Sequence, residues 1–240
     1  GHGKSSFMKQ VCIQASFGIH PFSLRNITPV RCLFVDLENP KMDNFEDFQR
    51  LAQIAGYHSD VSGMDNLHIV ESRPTNLATD EGAAWLIERV HAHRPQLVTI
   101  GPLYNMMGED ASAEAAVRPV KDVLDYIREK YGCAILIEHH VPHRSGDVRD
   151  VRPIGSSILM RWPAFGFGLA PINEPLQPGE HKPKPTGVYE WSAWRGPRRR
   201  GRVWPTHLRW GTPDSAEWMW MEAEPDVIAD AMSRAKGAKA

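Results

Sequence analysis

The chain is 240 residues long, 42% hydrophobic, with a formal net charge of −1. That length fits one domain of ordinary to large size, the apolar share is too high for a disordered chain, and the charge balance excludes a strongly basic nucleic-acid coat protein. Charge is nevertheless uneven along the chain: residues 141–212 carry 12 Lys/Arg against 5 Asp/Glu, and the remainder carries 16 against 24. The three cysteines, Cys12, Cys32 and Cys133, each lie in an apolar stretch. Their odd number speaks against a disulfide framework and for a reducing, cytoplasmic setting. No apolar run approaches the roughly 18 residues of a membrane span, and no signal-peptide pattern opens the chain.

The first six residues, Gly1-His2-Gly3-Lys4-Ser5-Ser6, read as the second half of a phosphate-binding loop, G-x-x-x-x-G-K-[ST]. The first glycine of the motif and the strand that feeds it are expected to precede residue 1. Glycines let backbone N–H groups close on phosphate oxygens, and the helix that follows aims its positive end at them. Lys4 would reach the β- and γ-phosphates and the Ser5 hydroxyl would ligate Mg²⁺, so residues 1–6 are the predicted ATP-binding segment. Phe7, Met8, Val11, Cys12 and Ala15 recur at helical spacing, which predicts an amphipathic helix starting at Lys4.

Five apolar runs follow: Arg31–Leu37, Leu67–Glu71, Gln96–Gly101, Cys133–Glu138 and Phe165–Ala170. Their continuous hydrophobicity suits strands buried on both faces of a parallel sheet. Between them, helices are predicted from about Asp43 to Ala55, from Thr79 to about His93, and from Ser112 to Tyr131, the last bent or delayed by Pro119. In the first of these, Phe45, Phe48, Leu51 and Ile54 face inward, Asp43 and Glu46 form a capping-box-like start, and Gly56 is the stop. The alternation predicts an α/β fold with a mostly parallel central sheet flanked by helices. Pro171–Pro185 reads as a surface loop, and Gly187–Trp194 and Thr206–Trp210 as late, antiparallel edge strands. The domain division expected is a core over 1–211 and a C-terminal tail over 212–240.

In open α/β sheets ligands sit at the carboxyl ends of the strands. The first run ends Asp36-Leu37-Glu38-Asn39. Glu38 is the candidate for activating an attacking water, and Asp36 is a candidate for holding Mg²⁺ through water. The third run ends Ile100-Gly101-Pro102-Leu103, with Gly101 where a nucleotidase usually carries its Mg²⁺-supporting Asp. The fourth ends Glu138-His139-His140, polar residues placed to sense a γ-phosphate.

This order of features resembles the RecA-like ATPases over about residues 1–211, and among them the RepA/DnaB type of hexameric replicative helicase with its phage and plasmid relatives. The resemblance implies a RecA-like core that binds ATP and Mg²⁺ between subunits of a homo-oligomeric, hexameric ring. It implies action on single-stranded DNA, with a primase or loader as a candidate partner. The family's catalytic base falls on Glu38, its γ-phosphate contact on His139 or His140, and its arginine finger on Arg195 in W-S-A-W-R-G-P. Ala193 stands where the family's accompanying Lys would be, and Gly101 where its Walker B Asp would be. The loop after the fourth strand, with Arg144, Arg149 and Arg152, has a composition suited to DNA phosphates and equally to a solvated loop.

The run Arg195, Arg198, Arg199, Arg200 and Arg202 is mostly a solvated charge cluster, Arg195 excepted for its place at a strand end. The late tryptophans, Trp191, Trp194, Trp204, Trp210, Trp218 and Trp220, are expected in a core or a subunit interface before any base-stacking role. Two other functions stay open at this stage. A non-hydrolysing nucleotide-binding regulator or loader is favoured by Gly101 and Ala193, and a P-loop phosphotransferase is the third reading.

Overall fold

The computed structural model describes residues 3–70, 76–108, 114–139, 156–180, 182–195, 204–211 and 217–237. These fall into two compact units, one of residues 3–139 with 156–162 and one of residues 163–237.

The first unit is α/β. Strands β1 (Cys32–Asp36), β2 (Leu67–Val70), β3 (Leu97–Gly101) and β4 (Ala134–Ile137) form a parallel sheet in the order β2-β1-β3-β4. Helices α1 (Lys4–Ser16), α2 (Lys41–Ile54), α3 (Asp80–His93) and α4 (Glu114–Tyr131) flank it, and the short α5 (Ser157–Arg161) packs on α4. β1 is buried along its whole length, as expected of a strand with neighbours on both edges and layers on both faces. The Leu33, Val35, Val98 and Ile100 side chains of β1 and β3 meet Leu86 and Val90 of α3 and Val117, Val120, Leu124 and Ile127 of α4 in one apolar core. Phe34 packs edge-on to Phe48 of α2, with ring centroids 4.9 Å apart.

Three local details differ from the sequence-based expectation. Helix α1 is buried almost all round: Lys9, Gln10 and Gln14 are covered, while Phe7 and Val11 stay half-buried. The buried Lys9 ammonium is neutralised by Asp47 of α2 at 2.6 Å, which removes the main penalty for burying it. Helix α2 starts two residues earlier than expected and has Pro40, not a capping box, at its N-cap; Phe45 and Ile54 are half-buried. Helix α4 is not delayed to Pro119: it is already helical from Glu114 and runs through the proline to Tyr131. By contrast α3 begins where expected, its Thr79 hydroxyl accepting a hydrogen bond from the Gly82 N–H at 3.1 Å.

The second unit is an antiparallel sheet, β5 (Gly166–Asn173), β6 (Pro185–Arg195), β7 (His207–Trp210) and β8 (Trp220–Glu222), in sequential order. The run Phe165–Ala170, expected as a further parallel strand, is β5 of this sheet, because an apolar run does not encode the direction of its partner. Helix α6 (Pro225–Ala235) covers it, with Val227, Ile228 and Ala231 against Val188, Ile172 and Ala223. Residue 211, the boundary expected from sequence, falls inside this unit, since β8 and α6 follow it. Tryptophans build the unit: Trp220 is buried, with Tyr189 and Trp210 edge-on to it at 4.9 and 4.6 Å. Phe167 stacks on Trp191 at 4.7 Å.

Candidate active site

Gly3 adopts a left-handed backbone, φ 70° and ψ 19°, and caps α1. Without a Cβ it takes that conformation at no steric cost, turning the chain so that Lys4 and Ser5 open the helix and its positively polarised N-terminus. The Phe7 N–H donates to the Gly3 carbonyl at 2.9 Å, closing the first helical turn. Lys4, Ser5 and Ser6 are all half-buried.

The carboxyl ends of β1, β3 and β4 lie beside this turn, tied to one another by backbone hydrogen bonds. Leu37 N donates to the Gly101 carbonyl at 2.8 Å, Glu138 N to Ile100 at 3.1 Å, and Leu103 N to Glu138 at 2.9 Å. Ser5 Oγ donates to the Glu138 carboxylate, 2.9 Å from Oε2 and 3.2 Å from Oε1, across 133 residues of sequence. Glu138 is buried. Burial pushes its carboxyl above the ordinary range; the Ser5 hydrogen bond and the Lys4 ammonium pull it back, and the Asp36 and Glu38 carboxylates add to the rise. Lys4, Ser5, Asp36, Glu38 and Glu138 therefore share one electrostatic neighbourhood.

Asp36 and Glu38 divide the work within it. Asp36 Oδ1 accepts from the backbone N–H groups of Glu38 and Asn39 at 2.9 and 3.0 Å, and its Oδ2 accepts from Asn39 Nδ2 at 2.8 Å. The buried Asp36 thus shapes the turn that presents Glu38, which is exposed. The Tyr104 hydroxyl donates to the Glu38 carboxylate; burial first, then that bond and the surrounding carboxylates, raise the phenol above its ordinary value. Asn105 Nδ2 donates to the Leu37 carbonyl at 2.9 Å, holding the same turn from the segment after β3.

The remaining sequence-predicted residues are distributed differently. His139 follows Glu138 past the end of β4 and is half-buried. Arg195 ends β6 in the second unit, paired with Gly166 of β5. Gly1, His2, His140, Arg144, Arg149 and Arg152 lie outside the described residues. Glu138 is the residue that sequence reasoning passed over: it stood among three polar residues at a strand end, and the histidines drew the assignment. The available signal was a carboxylate closing the apolar run AILI beside a strand that ends in Gly101.

A serine hydroxyl surrounded by carboxylates is a hard oxygen donor set, the kind Mg²⁺ takes. Among the described residues no three or more His, Cys, Asp or Glu side chains converge to hold a metal ion on their own. That fits an ion that arrives with nucleotide phosphates and needs one or two protein oxygens.

A family model described as an AAA domain matches residues 1–146, more than half of the chain and the whole of this cluster. No curated protein matches the chain. Among solved structures, the crystal structure of a KaiC-like protein from the hyperthermophilic archaeon Pyrococcus horikoshii OT3 is similar over 88% of this chain and 81% of that one, with a TM-score of 0.52 at 13% identity. A likeness at that identity speaks for the fold, which is RecA-like. No helix among the described residues is long and apolar enough to cross a membrane.

Proposed function

We propose that this chain, which belongs to the AAA-domain family, is a RecA-like P-loop ATPase working as a motor of the RepA/DnaB replicative helicase type. It binds ATP with Mg²⁺ at the Lys4–Ser5 turn, hydrolyses it between copies of a homo-oligomeric, hexameric ring, and acts on single-stranded DNA. A primase or a loader is the candidate further partner. The observation that carries the nucleotide reading is the convergence of Lys4, Ser5, Glu138 and Glu38 at the carboxyl ends of three parallel strands.

In this reading the N–H groups of the Gly3–Ser6 turn and the Lys4 ammonium hold the phosphates. Ser5 offers its hydroxyl oxygen. Bound Mg²⁺ would supply charge neutralisation on the phosphate oxygens. Glu38, presented by the Asp36 turn and held by Tyr104, orients and polarises the attacking water. His139 or His140 senses the γ-phosphate, and Arg195 of a neighbouring copy meets the charge that develops in the transition state. Arg144, Arg149 and Arg152 contact the DNA backbone.

The test is ATP hydrolysis by protein carrying the complete phosphate-binding motif, with and without single-stranded DNA, over a range of protein concentrations. The expected result is turnover that DNA stimulates and that rises more steeply than linearly with protein concentration. Lys4→Ala is expected to weaken ATP binding by about 100-fold or more, as loss of a charge-assisted phosphate contact would. Tight ATP binding with no turnover under any condition would replace the motor with a nucleotide-dependent regulator or loader.

A further inference from the structure

The phosphate-loop serine of a P-loop ATPase needs an acidic partner, and the strand end that usually supplies it ends here in Gly101. We propose that Glu138 of the neighbouring strand supplies that acid, so that the carboxylate supporting Mg²⁺ has been transposed from β3 to the end of β4. The inference rests on the nucleotide-binding reading above and names a positioning residue for it.

Sterics make the glycine and the glutamate a matched pair. A Cβ placed on Gly101 would lie 2.6 Å from Glu138 Cβ and 3.3 Å from Glu138 N. No side chain at 101 coexists with the glutamate in this register, so Gly101 is the condition under which Glu138 occupies the space. The ladder fixes that register on both sides of the residue, through Glu138 N to Ile100 and Leu103 N to the Glu138 carbonyl, at 3.1 and 2.9 Å.

The hydrogen bond to Ser5 has the right polarity for the task. A serine hydroxyl has one proton to donate and two lone pairs to offer. Its proton is committed to Glu138, at 2.9 and 3.2 Å from the two carboxylate oxygens, which leaves oxygen lone pairs for a cation. The charge balance points the same way: Asp36 and Glu38 bear on Glu138 with like charge, and Lys4 is the cation that opposes them there. A divalent cation beside Ser5 would relieve that excess of negative charge.

With protein carrying the complete phosphate-binding motif, the experiment measures the affinity of a fluorescent ATP analogue with MgCl₂ and again with EDTA, so the readout is binding and not turnover. For the wild-type chain the expected result is tighter binding with MgCl₂. Glu138→Gln keeps size and hydrogen-bonding capacity but removes the charge. It should cut the gain from MgCl₂ by about tenfold or more, the usual scale for a partner of a metal-ligating group, without weakening the EDTA affinity. A far-UV circular dichroism spectrum matching wild type accompanies each variant. The exchange variant Gly101→Asp with Glu138→Gly should recover MgCl₂ dependence that Glu138→Gly alone has lost.

A full MgCl₂ gain in Glu138→Gln overturns the transposition and leaves nucleotide binding standing. So does a folded exchange variant no more MgCl₂-dependent than Glu138→Gly. Absence of ATP binding by wild type in both buffers overturns the nucleotide reading and this inference with it.

Discussion

The two sheets of this chain differ in make-up, the parallel one built mainly of aliphatic residues with Phe34 and the antiparallel one rich in tryptophan, and they put their polar atoms to opposite uses. In the parallel sheet, β1, β3 and β4 all point their carboxyl ends the same way, so Asp36, Gly101 and Glu138 arrive at one edge together with the turn at Lys4 and Ser5. In the antiparallel sheet successive strands reverse, and strand ends are dealt alternately to both edges. Its charged residues form peripheral pairs instead, such as Arg209 with Glu217 and Glu224 at 3.1 and 3.3 Å and Arg234 with Glu174 at 3.2 Å. Strand direction decides where strand-end chemistry can collect.

Arg195 is the residue that could break this division, since it belongs to the antiparallel unit and is proposed to act in catalysis. Arg195→Ala is expected to lower turnover by about 10³-fold or more, the scale of a trans-acting arginine, while ATP affinity stays within about twofold. Normal hydrolysis by the variant would return Arg195 to the peripheral charges of its own sheet. Next in size, Trp220→Ala should destabilise the protein by about 3–5 kcal/mol through loss of a buried aromatic, measured by denaturant unfolding. ATP affinity of the folded variant should not change; a parallel loss would mean that the two units work as one.

The smallest effect lies in the parallel unit, away from the site. His68 and His93 stack with centroids 4.0 Å apart, and burial, then the His93 charge, hold the His68 imidazole below its ordinary value. A depressed histidine favours the folded state while neutral. The unfolded chain takes up its proton as pH falls below about 6.5, so this contribution is present above that pH and is lost as pH drops towards the folded value. His68→Asn should flatten that part of the stability–pH curve, a comparison made by thermal melts across pH 5–7 at fixed ionic strength.

Strands β1 to β4 and helix α3 were legible because each announces itself locally, by an unbroken apolar run or by a capping threonine. What stayed hidden depends on distant partners. Lys9, Gln10 and Gln14 disguise a helix buried almost all round, and nothing near Lys9 in sequence shows that Asp47 neutralises it. The direction of β5 is set by pairing with β6, and β8 is too short, Trp220–Glu222, to carry a pattern. Lys4, Ser5, Asp36 and Glu38 were readable from motif and strand end. Glu138 showed only its place at a strand end; its role lies in a hydroxyl 133 residues away and in a glycine on the next strand.

β4 ends the described sheet order on one side, and its Ile135, Leu136 and Ile137 are only half-buried. Among the described residues the four uncharged residues of β4 form an edge strand, a template onto which another strand can add. A strand added there would also come to lie next to Glu138, so completing the sheet and shaping the phosphate site would be a single act of pairing.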